Sequence, residues 1–360
     1  MIDLINLSKK YKEKYVVKNL NLTFEDGEIS ILIGPSGCGK TTTLKMINRL
    51  IEPSEGDIRI DGKSIFDFDE IFLRRGIGYV IQEVGLFPHY TIYDNIALVP
   101  KLLGWDKKKI EKRVDELIEL INLPKFYLNR YPKELSGGEK QRVGVARALA
   151  SDPKILLMDE PFGAIDPINR KNLQEFFIEL QKTLKKSVVF VTHDIMEALK
   201  LGDKICILKD GEVVQFDKTE NILKNPKDEF VESLLGSNRN ILRLSIKKVS
   251  DYLKKDFKII KPDQIEEIKN FKESLFIIEE DGSFKGYVLK SDLEKRRVCP
   301  KKITFVNENE NLLDLIILLL NKGEEVLIVK CIERGVMGYV KLDDMLNVLK
   351  SEEDYELPNK

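Results

Sequence analysis

One run of nine residues constrains this chain more than any other: Gly34-Pro35-Ser36-Gly37-Cys38-Gly39-Lys40-Thr41-Thr42. It satisfies the phosphate-cradle pattern GxxxxGKS/T and falls where that pattern has to fall, between an apolar strand, Ile29 to Ile33, and a helix-like stretch, Lys40 to Leu50. Glycines let consecutive backbone N–H groups turn inward around a phosphate, and the helix that follows points its positive end at the same charge. In that geometry Lys40 holds the β and γ phosphates, Thr41 offers its hydroxyl to Mg²⁺, and Cys38 fills a small-residue slot.

A second glycine turn, Leu135-Ser136-Gly137-Gly138-Glu139, opens the helical stretch EKQRVGVARALA. Ser136 suits an N-cap, and the two glycines leave backbone donors bare at another positive helix end. One nucleotide does not need two cradles on one chain. The economical arrangement is a homodimer in which the cradle of one subunit and the Ser-Gly-Gly of the other clamp opposite sides of one triphosphate.

Ile155-Leu156-Leu157-Met158-Asp159-Glu160 is an apolar strand ending in two acids, and ligands of open α/β sheets sit at strand ends. Successive strand residues point to opposite faces, so the two carboxylates differ in role. Asp159 suits Mg²⁺, directly or through water; Glu160 suits polarising an attacking water. Val188 to Val191 runs likewise into Thr192-His193-Asp194, which places His193, one of 2 histidines, to contact the γ-phosphate.

Short apolar strands separated by helical sequence such as Arg170 to Leu184 predict an α/β fold with a largely parallel sheet. Asp26-Gly27, Asp61-Gly62 and Asp210-Gly211 predict hairpins added to that sheet. With 360 residues, the chain has room for two or three domains of about 150 residues. Its 59 basic and 60 acidic side chains leave no global field for a polyanion, which argues against nucleic acid as a partner. The 4 cysteines form no CxxC pair, so free thiols and a reducing compartment are expected rather than a zinc site. MIDLINLSKKYKEKY lacks the apolar core of a signal peptide, and the run Leu315 to Leu320 is far below the roughly 20 residues that span a bilayer. Any membrane role is expected to go through another subunit.

From about residue 245 the pattern changes to a repeat. Slid by 52 positions, Leu275-Phe276-Ile277 falls on Leu327-Ile328-Val329, Gly286-Tyr287-Val288 on Gly338-Tyr339-Val340 with no gap between the blocks, and Asp292 on Asp344. A helical stretch Asn311 to Leu320 precedes the second copy and a shorter one, Ile265 to Phe271, the first. The expected division is 1–236, a linker 237–244, the repeat 245–350 and an acidic tail 351–360. Lys295-Arg296-Arg297 with Lys301-Lys302 forms a basic cluster suited to a linker between repeats or to anionic lipid.

The order GPSGCGKTT, Gln82, LSGGEKQR, ILLMDE, Asp166 and His193 resembles the nucleotide-binding subunit of ABC transporters over roughly residues 1 to 236. The resemblance implies ATP and Mg²⁺ as cofactors, Tyr11 stacked on adenine, Gln82 as sensor of Mg²⁺ and water, and Asp166 as a dimer-facing loop carboxylate. Glu139 departs from the commoner glutamine at the fifth signature position. IGYVIQEVGLFPHYTIYDNIALVPKL, NRLIEPSEGDIRIDG and MDEPFGAIDP are similar to importers of osmoprotectants such as glycine betaine, choline and proline. That likeness implies permease subunits docked near Gln82 and the Trp105 region, an extracytoplasmic solute-binding protein, and a peripheral place on the cytoplasmic face of the membrane. The C-terminal repeat resembles a pair of CBS modules, which implies a nucleotide or ionic effector.

Rivals of other classes have weaker support. Ser136-Gly137-Gly138 and His193 argue against a P-loop kinase of a small acceptor. The 54 positions between Gln82 and Ser136 leave no room for the coiled coil of a DNA-repair ATPase. Glu160 and His193 argue against an inert ATPase half on a regulatory protein.

Overall fold

The computed structural model describes the chain except for residues 83, 164, 237–238, 295–299, 332–334 and 354–360. It divides into two compact units, Met1–Ser237 and Asn238–Lys360.

The first unit holds two sheets. β1 (Ile2–Tyr11) and β2 (Lys14–Phe24) form an antiparallel four-stranded sheet with β4 (Glu55–Ile60) and β5 (Lys63–Ser64). The other sheet has the order β10-β9-β3-β8-β7-β6, built from β3 (Ile29–Ile33), β6 (Ile77–Val80), β7 (Ile155–Asp159), β8 (Ser187–Val191), β9 (Lys204–Lys209) and β10 (Glu212–Lys218). Its pairings are parallel except between β9 and β10. Every residue of β3, β7 and β8 is buried, as strands covered on both faces require. Leu32, Leu157, Val189 and Leu208 share one core with Leu4, Leu22 and Phe24 of the antiparallel sheet and Leu44 and Ile47 of the helix Lys40–Ile47.

A helical layer is made by Ile92–Leu102, Lys107–Leu120 and Gly137–Leu149. Each starts on a side-chain cap, from Thr91, Asp106 and Ser136 respectively, and each buries one apolar stripe. The helix after the phosphate loop ends at Ile47, short of Leu50, because Arg49 turns to φ +54°.

Of the expected hairpins, Asp61-Gly62 joins β4 to β5 and Asp210-Gly211 joins β9 to β10. In both, Asp and Gly take positive φ, +50° and +79° in the first and +51° and +85° in the second, as a two-residue turn matched to strand twist demands. Only the second extends the parallel sheet. Asp26-Gly27 forms no hairpin, since β2 and β3 belong to different sheets. Its carboxylate instead accepts the Ser187 hydroxyl at 3.0 Å and pairs with the Met1 ammonium.

In the second unit residues 239–244 of the stretch expected as a linker belong to the helix Arg239–Ile246, whose Leu244 enters the core with Leu312, Leu315 and Leu327; 237–238 lie outside the described residues. Two three-stranded sheets follow, β11 (Phe257–Ile260) with β12 (Leu275–Glu280) and β13 (Ser283–Leu289), then β14 (Phe305–Asn307) with β15 (Val326–Cys331) and β16 (Gly335–Lys341). Between its two parallel strands the first copy has a 3₁₀ helix, Pro262–Asn270, and the second an α-helix, Leu312–Lys322, capped by Asn311.

The repeat is real in topology, and its register differs from a gapless slide. Ile277 lies opposite Tyr287, and its counterpart opposite Tyr339 is Ile328, not Val329. The second hairpin carries one more residue, so the paired strands are related by one step fewer than the slide gives. A one-residue shift exchanges the faces of a strand. Leu275 and Ile277 accordingly share a cluster with Val326, Ile328 and both tyrosines, while Leu327 and Val329 face the opposite side. Lys295, Arg296, Arg297 and most of the acidic tail, 354–360, lie outside the described residues; Lys301 pairs with Asp292 and Glu325, each at 3.2 Å. Among the described residues no helix is long and apolar enough to cross a membrane.

Ile328 is fully buried between the repeats. Ile328→Ala should destabilise the second unit by about 2–5 kcal/mol, read as a lower urea midpoint. Ile328→Lys should abolish its cooperative transition, whereas Lys330→Ile, on a half-buried position, should shift it little.

Candidate functional site

β3, β8, β7 and β6 are consecutive, parallel neighbours, so the segments leaving their carboxyl ends meet along one edge of the sheet. From β3 comes the glycine loop. Gly34 has φ +154° and a Cβ there would lie 2.1 Å from the Leu208 carbonyl oxygen; Gly39 has φ +102° and its Cβ would lie 2.7 Å from that of Val16. Neither position accepts a side chain. The helix Lys40–Ile47 starts at Gly39 without a side-chain cap, in contrast to the capped helices of the same unit. Its leading N–H groups are donors for an anion. Pro35, Ser36 and Gly37 are exposed, Cys38 and Gly39 buried, and Thr42 half-buried. Lys40, itself buried, folds its ammonium into the loop and donates to the carbonyl oxygens of Gly34 at 2.8 Å and Pro35 at 2.9 Å. Burial pushes the Cys38 thiol up, so it is held as the neutral small residue the slot needs.

Asp159 ends β7 beneath this loop and accepts the Thr41 hydroxyl at 2.8 Å. Burial raises its carboxyl above the usual range, opposed by the Thr41 bond and the charge of Lys45. A hydroxyl beside a buried, under-compensated carboxylate is a hard-oxygen donor set that fits a divalent cation such as Mg²⁺.

Glu160 follows with φ +44°, a conformation uncommon for a residue with a side chain. Its Oε2 accepts Gln82 Nε2 at 3.1 Å and lies 3.1 Å from His193 Nδ1. Gln82, Glu160 and His193, from three strand ends, thus converge on one carboxylate oxygen, and Thr41, Asp159 and Lys40 stand on the adjoining residues. The buried Glu197, which the sequence reading missed, supports this edge: it accepts Gln174 Nε2 at 3.2 Å and, at 2.7 Å, the hydroxyl of Thr192, the residue before His193. Gly163 was also missed; its Cβ would lie 3.6 Å from Glu160 Oε2. A small residue four positions from a strand-end acid was the available signal for it.

The other expected residues stand apart from this group. Ser136 caps its helix in a reciprocal box, its hydroxyl accepting Glu139 N at 3.3 Å while Glu139 Oε2 accepts Ser136 N at 2.7 Å. Glu139 Oε1 accepts the Tyr127 hydroxyl at 3.0 Å, so each carboxylate oxygen has a partner within the chain and the residue holds the turn. Gly137 and Gly138 have ordinary negative φ, and a Cβ at either would meet nothing closer than 4.0 Å. Asp166 caps the helix Pro167–Leu184, accepting Asn169 N at 3.2 Å. Tyr11, at the end of β1, is 44 % exposed and has the Lys9 ammonium 5.1 Å above its ring.

Residues 17–163 match the family described as ABC transporter. A choline transport ATP-binding protein of Bacillus subtilis is 51% identical over 317 residues, covering 86% of this chain and 82% of its own. A carnitine transport ATP-binding protein of Listeria monocytogenes is 44% identical over 365 residues, 97% of this chain and 92% of its own. Among solved structures, an ATP-binding cassette captured as a dimer after hydrolysis, bound to ADP and Pi, is 38% identical with a TM-score of 0.55, covering 61% of this chain and 99% of that one.

The Ser136–Glu139 box yields a pH signature. The Ser136 bonds lower the Glu139 carboxyl below its usual range, so its stabilisation is complete above the unfolded-state value and is lost as pH falls through the folded one. Ser136→Ala should cost about 1 kcal/mol, and Glu139→Gln should flatten the acid limb of a stability-against-pH curve measured by urea unfolding.

Proposed function

We propose that this chain, which belongs to the ABC transporter family of ATP-binding proteins, hydrolyses ATP between two copies of itself to power import of a small osmoprotectant. The cargo class is a quaternary amine such as choline, carnitine or glycine betaine, as the names of its relatives indicate for them. The observation that carries the reading is the convergence of Gln82, Glu160 and His193 beside the Lys40 loop and the Thr41–Asp159 pair.

The residues divide the work by geometry. The loop N–H groups and Lys40 bind the phosphates, the ammonium leaving the carbonyls of Gly34 and Pro35 for a stronger partner. Thr41 and Asp159, with the side-chain amide oxygen of Gln82, would hold Mg²⁺, which would supply positive charge to neutralise the phosphate oxygens. Glu160 orients a water and takes its proton, and Gln82 and His193 hold its carboxylate in place. Tyr11 is exposed enough to stack on the base.

Gly137 and Gly138 support the second copy. A glycine inside a helix costs about 1 kcal/mol relative to alanine, and no contact among the described residues requires either of them. Room for another molecule's phosphate is the remaining use of two bare helix-start positions, with Ser136 and Asp166 at the same face-to-face contact. To move such a pair from 1:99 to 99:1 closed, ATP must favour closure by about 5.5 kcal/mol, which bridging contacts to both chains supply.

Permease subunits dock near Gln82. Phe87, His89 and Tyr90 form a ring cluster there, with His89 and Tyr90 centroids 4.6 Å apart and all three exposed. The buried Asn95 fixes this cluster by accepting Phe87 N at 2.8 Å and donating to the carbonyls of Phe87, Tyr90 and Thr91. In this reading the chain sits on the cytoplasmic face of the membrane and works with a solute-binding protein on the far side. The second unit is a CBS-like pair that adjusts the cycle in response to a nucleotide or ionic effector.

Lys40→Ala should slow hydrolysis by about 10²- to 10³-fold, roughly 2.7–4 kcal/mol, in a phosphate-release assay; near-normal turnover refutes the loop's role. Glu160→Gln should bind MgATP and persist as a dimer on size-exclusion chromatography, returning to monomer without nucleotide. A monomer under both conditions counts against the two-copy site.

A further inference from the structure

Tyr79 of β6 lies opposite Leu157 of β7 in a parallel pairing, and Asp159 stands two steps beyond Leu157 on the same face of the sheet. At about 4.8 Å between strands and about 3.3 Å per residue, the positions of Tyr79 and Asp159 are about 8 Å apart. A phenol on one and a carboxylate on the other close that step between them. The Tyr79 ring packs against the core that Leu157 shares with Leu44 and Ile47 of the helix Lys40–Ile47. This is the helix whose Thr41 donates to Asp159.

Packing accounts for the ring and leaves the hydroxyl unexplained. Its oxygen is buried and has no hydrogen-bond partner among the described residues. A phenylalanine would fill the same space without stranding a polar group, and a stranded buried hydroxyl costs stability. Asp159 has the matching deficit: Thr41 bonds to Oδ1, and Oδ2 accepts no hydrogen bond among the described residues. Burial, and after it the negative charge of Asp159, push the Tyr79 hydroxyl above the usual tyrosine range, so it keeps its proton and remains a donor.

We infer that Tyr79 is a positioning residue for the cation site, its hydroxyl donating to the second oxygen of Asp159 when the site is loaded and so fixing the carboxylate beside Thr41. Thr41 then holds one oxygen and Tyr79 the other. A group one layer behind a metal site orients the groups in front of it, and losing such a partner costs about 10- to 100-fold in metal affinity or activity. The inference rests on the reading of Thr41 and Asp159 as the Mg²⁺ pair. Tyr79 belongs to neither the glycine loop nor the Gln82–Glu160–His193 group, so its hydroxyl serves the cation and not the metal-free nucleotide.

The test uses the full-length chain with a fixed excess of ADP and Mg²⁺ as the variable. Adding Mg²⁺ to the wild-type chain with ADP should raise its unfolding temperature, and the concentration giving half of that rise reports the cation site. Tyr79→Phe should need about 10-fold more Mg²⁺ for half the rise, and the free Mg²⁺ that half-saturates ATP hydrolysis should move the same way. In EDTA the variant should bind a fluorescent ADP analogue within about 2-fold of wild type, the spread expected of a site left intact. Without nucleotide it should unfold at the wild-type temperature or above, because the stranded hydroxyl is gone. A Mg²⁺ midpoint unchanged in Tyr79→Phe overturns the assignment while the cation pair stands. A lower unfolding temperature of the nucleotide-free variant also overturns it, since the hydroxyl then serves the fold. A wild-type chain whose unfolding and hydrolysis are both indifferent to Mg²⁺ overturns the reading of Thr41 and Asp159 itself.

Discussion

The first unit is organised by the unpaired N–H groups at the start of the helix Lys40–Ile47. A helix leaves its first donors without intrahelical partners, and at the starts of the helices Ile92–Leu102, Lys107–Leu120, Gly137–Leu149 and Pro167–Leu184 a threonine, aspartate or serine side chain accepts one of them. Here Gly39 occupies the cap position, and the closeness of the Val16 carbonyl forbids anything larger. The uncapped turn leaves donors that an anion satisfies better than water does. The chain tolerates it because the rest of the unit holds the turn rigidly: β3 is buried throughout, and Gly34 is pressed against Leu208 on the neighbouring strand. Lys40 fills the interval by donating to its own loop.

Glu160 is a second local cost with the same direction. A non-glycine residue at φ +44° gives up of order 1–3 kcal/mol that a glycine would not. What the strain secures is orientation. The sharp turn after β7 takes the chain off the sheet edge and aims the carboxylate at Gln82 and His193, while Asp159, one residue earlier, stays beneath the loop with Thr41. Two adjacent acids are separated in environment, one buried with its carboxyl raised, the other partly solvated, and separated environments are what two different chemical tasks require.

Much of this was legible from sequence because each element carries its own local signal. The glycine loop, the strand ending in Asp159-Glu160 and the strand leading to His193 are readable from spacing alone, and parallel strands bring their ends together without further information. Three-dimensional closeness was less accessible. Nothing in the order of residues says that Glu139 spends one oxygen on Tyr127, that Arg147 donates to the carbonyls of Val84 and Gly85, or that Glu197 takes the Thr192 hydroxyl, since each depends on groups meeting across elements. Asp26-Gly27 looks like Asp61-Gly62, yet only the latter has Asp in the left-handed region; the former is held by Ser187 and the amino terminus. The repeat shows how sensitive such readings are. Identical Gly-Tyr-Val triplets anchor one strand of each hairpin, but one extra residue in the second hairpin transfers the facing strand's alternation, so that Ile328 and not Val329 takes the place of Ile277.

That register explains why the second unit is one body instead of two. The segment entering each repeat pairs with the other repeat: Lys254 exchanges backbone hydrogen bonds with Tyr339, and Lys301 with Tyr287. The same lysines cross over in charge, Lys254 to Asp344 at 2.8 Å and Lys301 to Asp292 at 3.2 Å, on aspartates at corresponding positions. Exposed ion pairs of this kind contribute about 0–1 kcal/mol, too little to join two domains. Burying one large side chain contributes about 1.5–3 kcal/mol, and Leu275, Ile277, Val326, Ile328, Tyr287 and Tyr339 form a single cluster drawn from both copies. The apolar contact therefore holds the repeats together, and the crossed lysines fix which way round they meet.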